Sequence, residues 1–154
     1  MKSLWIVGLA LLMVGCSTAT TYHAKDFHGE GYRDYRLSAD RFTVTFQANE
    51  HTKPEDVRKF AIRRASEVAT NYGYRYFVVE KERDLSRICT VKSKKESVTS
   101  FRNLLEGTEE PHSQMIVKER EIRKPAMEFM IRCYNEKPKQ EVIDAYQFLA
   151  YQAS

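Results

Sequence analysis

Arg41-Phe42-Thr43-Val44-Thr45-Phe46-Gln47-Ala48, then the run from Thr52 to Tyr72, then Tyr74 to Glu80, form the stretch whose reading decides the fold. In the first part Phe42, Val44 and Phe46 alternate with Arg41, Thr43, Thr45 and Gln47, the period of a strand with one buried face. The second part opens with Thr52-x-x-Glu55, a capping-box pattern, and places Pro54 in the first turn, where its missing N–H costs nothing. Val57, Ala61, Ala65, Val68 and Tyr72 fall on one helical stripe, joined by Phe60 and Ala69, and Gly73 is placed to end the helix. In the third part Tyr76-Phe77-Val78-Val79 is nearly continuous in apolar character, which predicts a strand buried on both faces at the sheet centre. Strand, helix and strand in this order predict a right-handed parallel crossover.

Working outward, Tyr32 to Leu37 is expected to pair with Arg41 to Ala48 across Ser38-Ala39-Asp40. Ile88 to Lys95 reads as a further strand, and residues 96–113 as a long connection with a short helix at Phe101 to Glu106. Gln114 to Arg123 and Met127 to Tyr134 read as two strands, or one bent strand, interrupted at Pro125. The charge on Lys118, Glu119, Arg120, Glu121 and Arg123 suits the first of them to a sheet edge. A closing helix from Pro138 to Tyr151 is expected to bury Val142, Ala145, Phe148 and Leu149. The fold class is therefore α+β, a mostly antiparallel sheet of four to six strands with two helices on one face.

The N-terminus carries a different message. Lys2 precedes an apolar stretch from Leu4 to Val14, and Leu12-Met13-Val14-Gly15-Cys16 then gives way to the polar Ser17-Thr18-Ala19-Thr20-Thr21. The apolar stretch is too short for a span, which needs about 20 residues, but has the length of a secretory signal. A cysteine at the boundary resembles the lipoprotein box of bacterial signal peptides, with Met13 where leucine is most often found. That resemblance implies cleavage before Cys16 and acylation of Cys16, so the partner is membrane lipid. Ser17 in place of aspartate implies sorting to the outer membrane, facing the periplasm. The expected organisation is a signal peptide over 1–15, a lipidated flexible tether over 16–30 and a single α+β domain over 31–154. The only tryptophan, Trp5, would leave with the signal.

The formal net charge of +4 is spread among 25 basic and 21 acidic residues. This mixed surface is not a nucleic-acid footprint. Lys92-Ser93-Lys94-Lys95 and Arg63-Arg64 are basic runs that suit either a solvated face or anionic lipid head groups. With Cys16 lipidated, Cys89 and Cys133 remain, each in a segment that reads as a strand. Phe129, Ile131 and Cys133 share a face, as do Cys89 and Val91, so the two thiols are expected to point inward, as a disulfide or as two buried thiols. They lack the spacing of a zinc site, and no cofactor is implied.

From Gly31 to Glu80 the chain resembles a family of small, uncharacterised proteobacterial envelope lipoproteins. The matching residues are Gly31-Tyr32, Arg41-Phe42-x-Val44-x-Phe46, Asn49-x-x-Thr52-x-x-Glu55, Arg64-Ala65-x-Glu67 and Gly73-Tyr74-x-x-Phe77, with Ala48 where a glycine is common. The resemblance implies an envelope location and one compact domain, and carries over no catalytic role.

The chain has no Gly-x-Ser-x-Gly elbow, no phosphate-cradling glycine loop and no His-Glu-x-x-His. His23 and His28 lack further ligands. Asn49, His51 and Thr52 stand before the helix, where free N–H groups receive an anion or the side chains serve as turn and cap. Arg64 and Glu67 form either a partner patch or an ordinary surface pair. Tyr72, Tyr74, Tyr76 and Tyr134 either line a groove or pack the core. The leading expectation is a non-enzymatic envelope module that binds an envelope protein or a glycan. A small envelope hydrolase or transferase, and a carrier of a lipid or apolar ligand, are the alternatives; the carrier requires an enclosed cavity between sheet and helices.

Overall fold

The computed structural model describes residues 18–97 and 114–152. Cys16, the signal segment and the short helix expected at Phe101 to Glu106 lie outside them. The elements are β1 (Gly31–Arg36), β2 (Arg41–Gln47), α1 (Pro54–Asn71), β3 (Tyr76–Asp84), β4 (Arg87–Ser97), β5 (Gln114–Lys124), β6 (Ala126–Tyr134), β7 (Ile143–Asp144) and α2 (Ala145–Gln152). β1, β2, β6, β3 and β7 form a five-stranded antiparallel sheet in that order, and β4 and β5 form a separate ribbon. This is an α+β fold with helices packed on one face of a mostly antiparallel sheet. None of the helices among the described residues is long and apolar enough to cross a membrane.

The alternation in β2 does what its period requires. Phe42, Val44 and Phe46 are buried, and they stand opposite Ile131, Phe129 and Met127 of β6. On α1, Val57, Ala61, Ala65, Val68 and Ala69 are buried against them, and the small alanines let the helix axis come close to the sheet. Phe42, Phe46, Phe77, Phe129 and Ile131 fill the space between helix and sheet. Ser66 shares this buried face because its hydroxyl donates back to the Ile62 carbonyl at 3.0 Å.

Gly73 ends the helix with φ 82°. Its N–H reaches the Thr70 carbonyl at 3.0 Å and the Tyr74 N–H reaches Ala69 at 2.9 Å, the paired bonds of a Schellman motif. Tyr72 is therefore the C-cap and not a core residue. Its ring is half exposed and packs on Phe42, with centroids 4.6 Å apart.

Several expectations are corrected. The helix starts after Lys53 with no side-chain cap bond, so the Thr52 and Glu55 capping box does not form. Thr52 is occupied elsewhere, as described below. β2 and β3 run parallel, but β6 lies between them and pairs antiparallel with both, a split β-α-β arrangement. The central strand is therefore β6 and not β3. In β3 only Phe77 is fully buried, while Tyr76, Val78 and Val79 are half-buried, because only one face of the sheet is covered by helices.

The closing helix is shorter than its sequence pattern suggests. Ile143 and Asp144 pair with Phe77 and Tyr76 as a two-residue edge strand, and the helix begins only at Ala145. Ala145 is buried, whereas Val142, Phe148 and Leu149 are half-buried. Pro125 separates β5 from β6, as its missing N–H demands. On the other strand Leu85 and Ser86 make the matching break, where Leu85 N–H donates to the Ala126 carbonyl at 2.9 Å. The ribbon thus continues the β3 and β6 pair past a kink.

The segment expected as a flexible tether is not loose once past Thr20. Thr20 is buried, Ala24 bridges Tyr32 in parallel register, and Tyr22 lies against Tyr32, Phe46 and Phe60 with centroids 4.9, 6.2 and 5.8 Å away. Its composition is polar, but one aromatic ring and two threonine hydroxyls suffice to bind it to the domain. Cys89 and Cys133 are both free thiols. Cys133 lies in the core on β6, opposite Phe77, and Cys89 lies on the ribbon opposite Ile122.

Candidate functional site: a cationic groove on the uncovered sheet face

The strand period that sends Phe42, Val44 and Phe46 to the helices sends Thr45 and Gln47 to the opposite face. Register then places Arg33 opposite Thr45 and Gly31 opposite Gln47. The kink at Leu85 and Ser86 carries Arg87 over the same face, and the segment before β1 brings Lys25. These residues, with Ala126, line an open groove of about 370 Å³. Its lining has three cations and no carboxylate, imidazole or thiol.

The ion pairs show why the groove differs from the rest of the surface. Arg41, Arg58, Arg63, Arg64, Arg75, Arg83, Arg120, Arg123 and Arg132 each pair with a carboxylate. Arg36 donates to the Ser38 and Ala39 carbonyls at 2.9 and 3.1 Å. Among the described residues, the arginines left without a carboxylate or a backbone carbonyl are Arg33 and Arg87, and both line the groove. Arg33 lies over the Tyr35 ring at 5.0 Å. Gln47, with its amide oriented to make both bonds, accepts from Arg87 and donates to the Gly29 carbonyl at 3.1 Å. Arg87 is thereby steered by a neutral acceptor that leaves its charge uncompensated.

Gly31 is required at the groove wall. Its φ is 105°, and a Cβ there would lie 2.5 Å from the His23 carbonyl oxygen and 2.7 Å from that of Ala24. The close approach lets Tyr32 N–H bond to His23 at 2.8 Å and Lys25 N–H bond to Tyr32 at 2.8 Å, which places Lys25 at the groove.

The residues singled out from sequence lie elsewhere. The Asn49 to Thr52 turn is filled by the chain's own N-terminal segment: Thr20 N–H donates to Thr52 Oγ1 at 2.8 Å and Asn49 N–H to Thr20 Oγ1 at 2.9 Å. Thr52 in turn donates to Asn49 Oδ1 at 3.0 Å. Arg64 and Glu67 form part of a larger network: Arg64 bonds Asp34 at 2.8 Å and Glu67 at 3.0 Å, Arg63 bonds Glu67 at 3.3 Å, and the Tyr22 hydroxyl also reaches Glu67. Burial opposes the charge of Arg64, yet Asp34 and Glu67 hold its pKa above the ordinary value. This network is a structural clamp. Tyr76 and Tyr134 are register partners, Tyr74 donates to the Ala39 carbonyl at 3.0 Å, Tyr72 caps the helix, and none of the four lines the cationic groove.

Among the described residues no group of three or more His, Cys, Asp or Glu is placed to hold a metal. Sequence reasoning missed the groove. The alternation of Gly31, Arg33 and Tyr35 carried a signal for one wall, but nothing local linked Lys25 or Arg87 to it.

No family model matches the chain, and neither curated proteins nor solved structures contain a match to it.

Proposed function

We propose that the chain is a membrane-anchored envelope lipoprotein, held through acylated Cys16 to the outer membrane and facing the periplasm. Its domain is a non-enzymatic module that binds an anionic group on an envelope glycan or protein. The anchor rests on Leu12-Met13-Val14-Gly15-Cys16 and on the signal segment before it. The binding role rests on Arg33 and Arg87 facing one groove with no carboxylate partner. Guanidinium forks match the paired oxygens of carboxylate and phosphate. The lining offers no carboxylate or imidazole to serve as a base, so it suits binding better than hydrolysis.

Two measurements test the two halves separately. Mass spectrometry of protein purified from membranes should find a chain beginning at acylated Cys16 and no tryptophan; an intact residue 1–15 segment would overturn the anchor. In NMR titrations with inorganic phosphate and with glucuronate, the Arg33 and Arg87 Nε–H signals should shift together and saturably. Followed at the backbone amides of Gly31, Thr45 and Gln47, saturation should be present in the parent and abolished in Arg33→Ala with Arg87→Ala, and an unchanged titration of those amides in the double variant would overturn the groove.

A further inference from the structure

The ribbon has two unlike faces. Register puts Arg87 with Lys124, Cys89 with Ile122, Val91 with Arg120 and Ser93 with Lys118 on one of them. That face therefore holds four cations and no acidic residue among these pairs; Ile122 is buried at its root, and Val91, Ser93, Lys118 and Arg120 farther out are exposed. The opposite face is neutralised internally: Lys92 pairs with Glu119 at 2.9 Å and Arg123 with Asp84 at 3.0 Å.

The chain enters the domain beside the basic face. Asn49 Nδ2 donates to the Thr18 carbonyl at 2.9 Å, and the next residue, Glu50, reaches Arg120 at 3.8 Å. Only Ser17 separates Thr18 from Cys16, a reach of at most about 7 Å. The field of an anionic membrane extends about 10 Å at 0.1 M salt.

We propose that this face of the ribbon, through Lys118, Arg120 and Lys124, lies on the anionic phospholipid of the membrane that holds Cys16. The proposal rests on the lipid anchor proposed above. Packing from Thr20 onward leaves no long tether to carry the domain away from the bilayer, so the acyl anchor and the basic face act at the same surface. Docking orients the domain as well as strengthening its hold.

The test uses the full lipidated protein in vesicles of phosphatidylcholine alone or with phosphatidylglycerol. Ser93→Cys and Thr90→Cys, each with Cys89→Ser, place a thiol on the basic and on the opposite face; both positions are exposed. A membrane-impermeant maleimide should modify Ser93→Cys several-fold more slowly in the anionic vesicles, and Thr90→Cys at one rate in both. High salt, or K118E/R120E/K124E, should remove the difference. Equal rates for Ser93→Cys, with the protein floating with both kinds of vesicle, would overturn docking and leave the anchor intact. Failure to float with neutral vesicles, with Cys16 unacylated, would overturn the anchor and docking together.

Discussion

The Tyr22 hydroxyl donates to the Glu67 carboxylate, tying the segment before β1 to the middle of α1 across 45 residues of chain. The ring beneath it stacks near Phe46 and Phe60, and the Arg63 guanidinium lies over it at 4.1 Å. One side chain therefore joins the N-terminal segment to sheet, helix and charge network at once.

Tyr22→Phe keeps the ring and removes the bond, and should cost about 1 kcal/mol in urea unfolding. Tyr22→Ala also removes the aromatic packing and should cost about 3 kcal/mol. Burial, then the bond to Glu67, raise the hydroxyl's pKa well above the usual tyrosine value. A raised folded pKa means the stabilisation is complete below the unfolded value of about 10 and declines as pH rises beyond it. Tyrosinate absorbance should show one tyrosine that ionises only as the protein unfolds in alkali.

Arg64 bridges Asp34 of β1 and Glu67 of α1 through two different nitrogens, Nε and Nη1. Its side chain is 19 % exposed, so Arg64→Ala should cost about 2 kcal/mol, between the surface and buried limits for ion pairs. Arg64→Lys should recover less than half of that, because one ammonium cannot reproduce the fork. A lysine variant as stable as the parent would remove the clamp from the account.

Gly31→Ala should destabilise by about 2 kcal/mol or more from backbone conformation alone. The added Cβ also meets two carbonyl oxygens, so the N-terminal segment should detach locally. Hydrogen exchange at the Tyr32 and Lys25 amides should accelerate more than exchange in β6.

Ala65 is fully buried where α1 meets the sheet. Ala65→Leu should lower stability by about 1–3 kcal/mol through overpacking, read as a fall in Tm. The same change at exposed Lys59 should be nearly neutral.

Burial pushes the Cys133 thiol up to about 12, with the negative charge of Asp40 adding to the effect. The thiolate is disfavoured in the fold, so this group's stabilisation holds at neutral pH and is lost as pH rises above the unfolded thiol value of about 8.5. Maleimide should modify half-buried Cys89 in the native protein and reach Cys133 only on unfolding. Early modification of Cys133 would show that the β6 face is less closed than Phe77 and Phe129 imply.

What the sequence determined by itself is whatever a short window can encode. The period of two in Phe42, Val44 and Phe46, the helical stripe from Val57 to Ala69, the stop at Gly73 and the break at Pro125 all act through backbone geometry and nearest neighbours. Each of these appears in the structure. Only the tertiary structure decided that β6 lies between β2 and β3, since an apolar run specifies burial without naming the strands beside it. The same holds for the polar segment around Thr20 and Tyr22, which is fixed to helix and sheet through Thr52, Phe46, Phe60 and Glu67, residues far along the chain. The cationic groove is the clearest instance. Lys25, Arg33 and Arg87 read as ordinary surface charges until sheet register and the kink at Leu85 and Ser86 bring them to one face, because an uncompensated charge is defined by what fails to lie beside it in space.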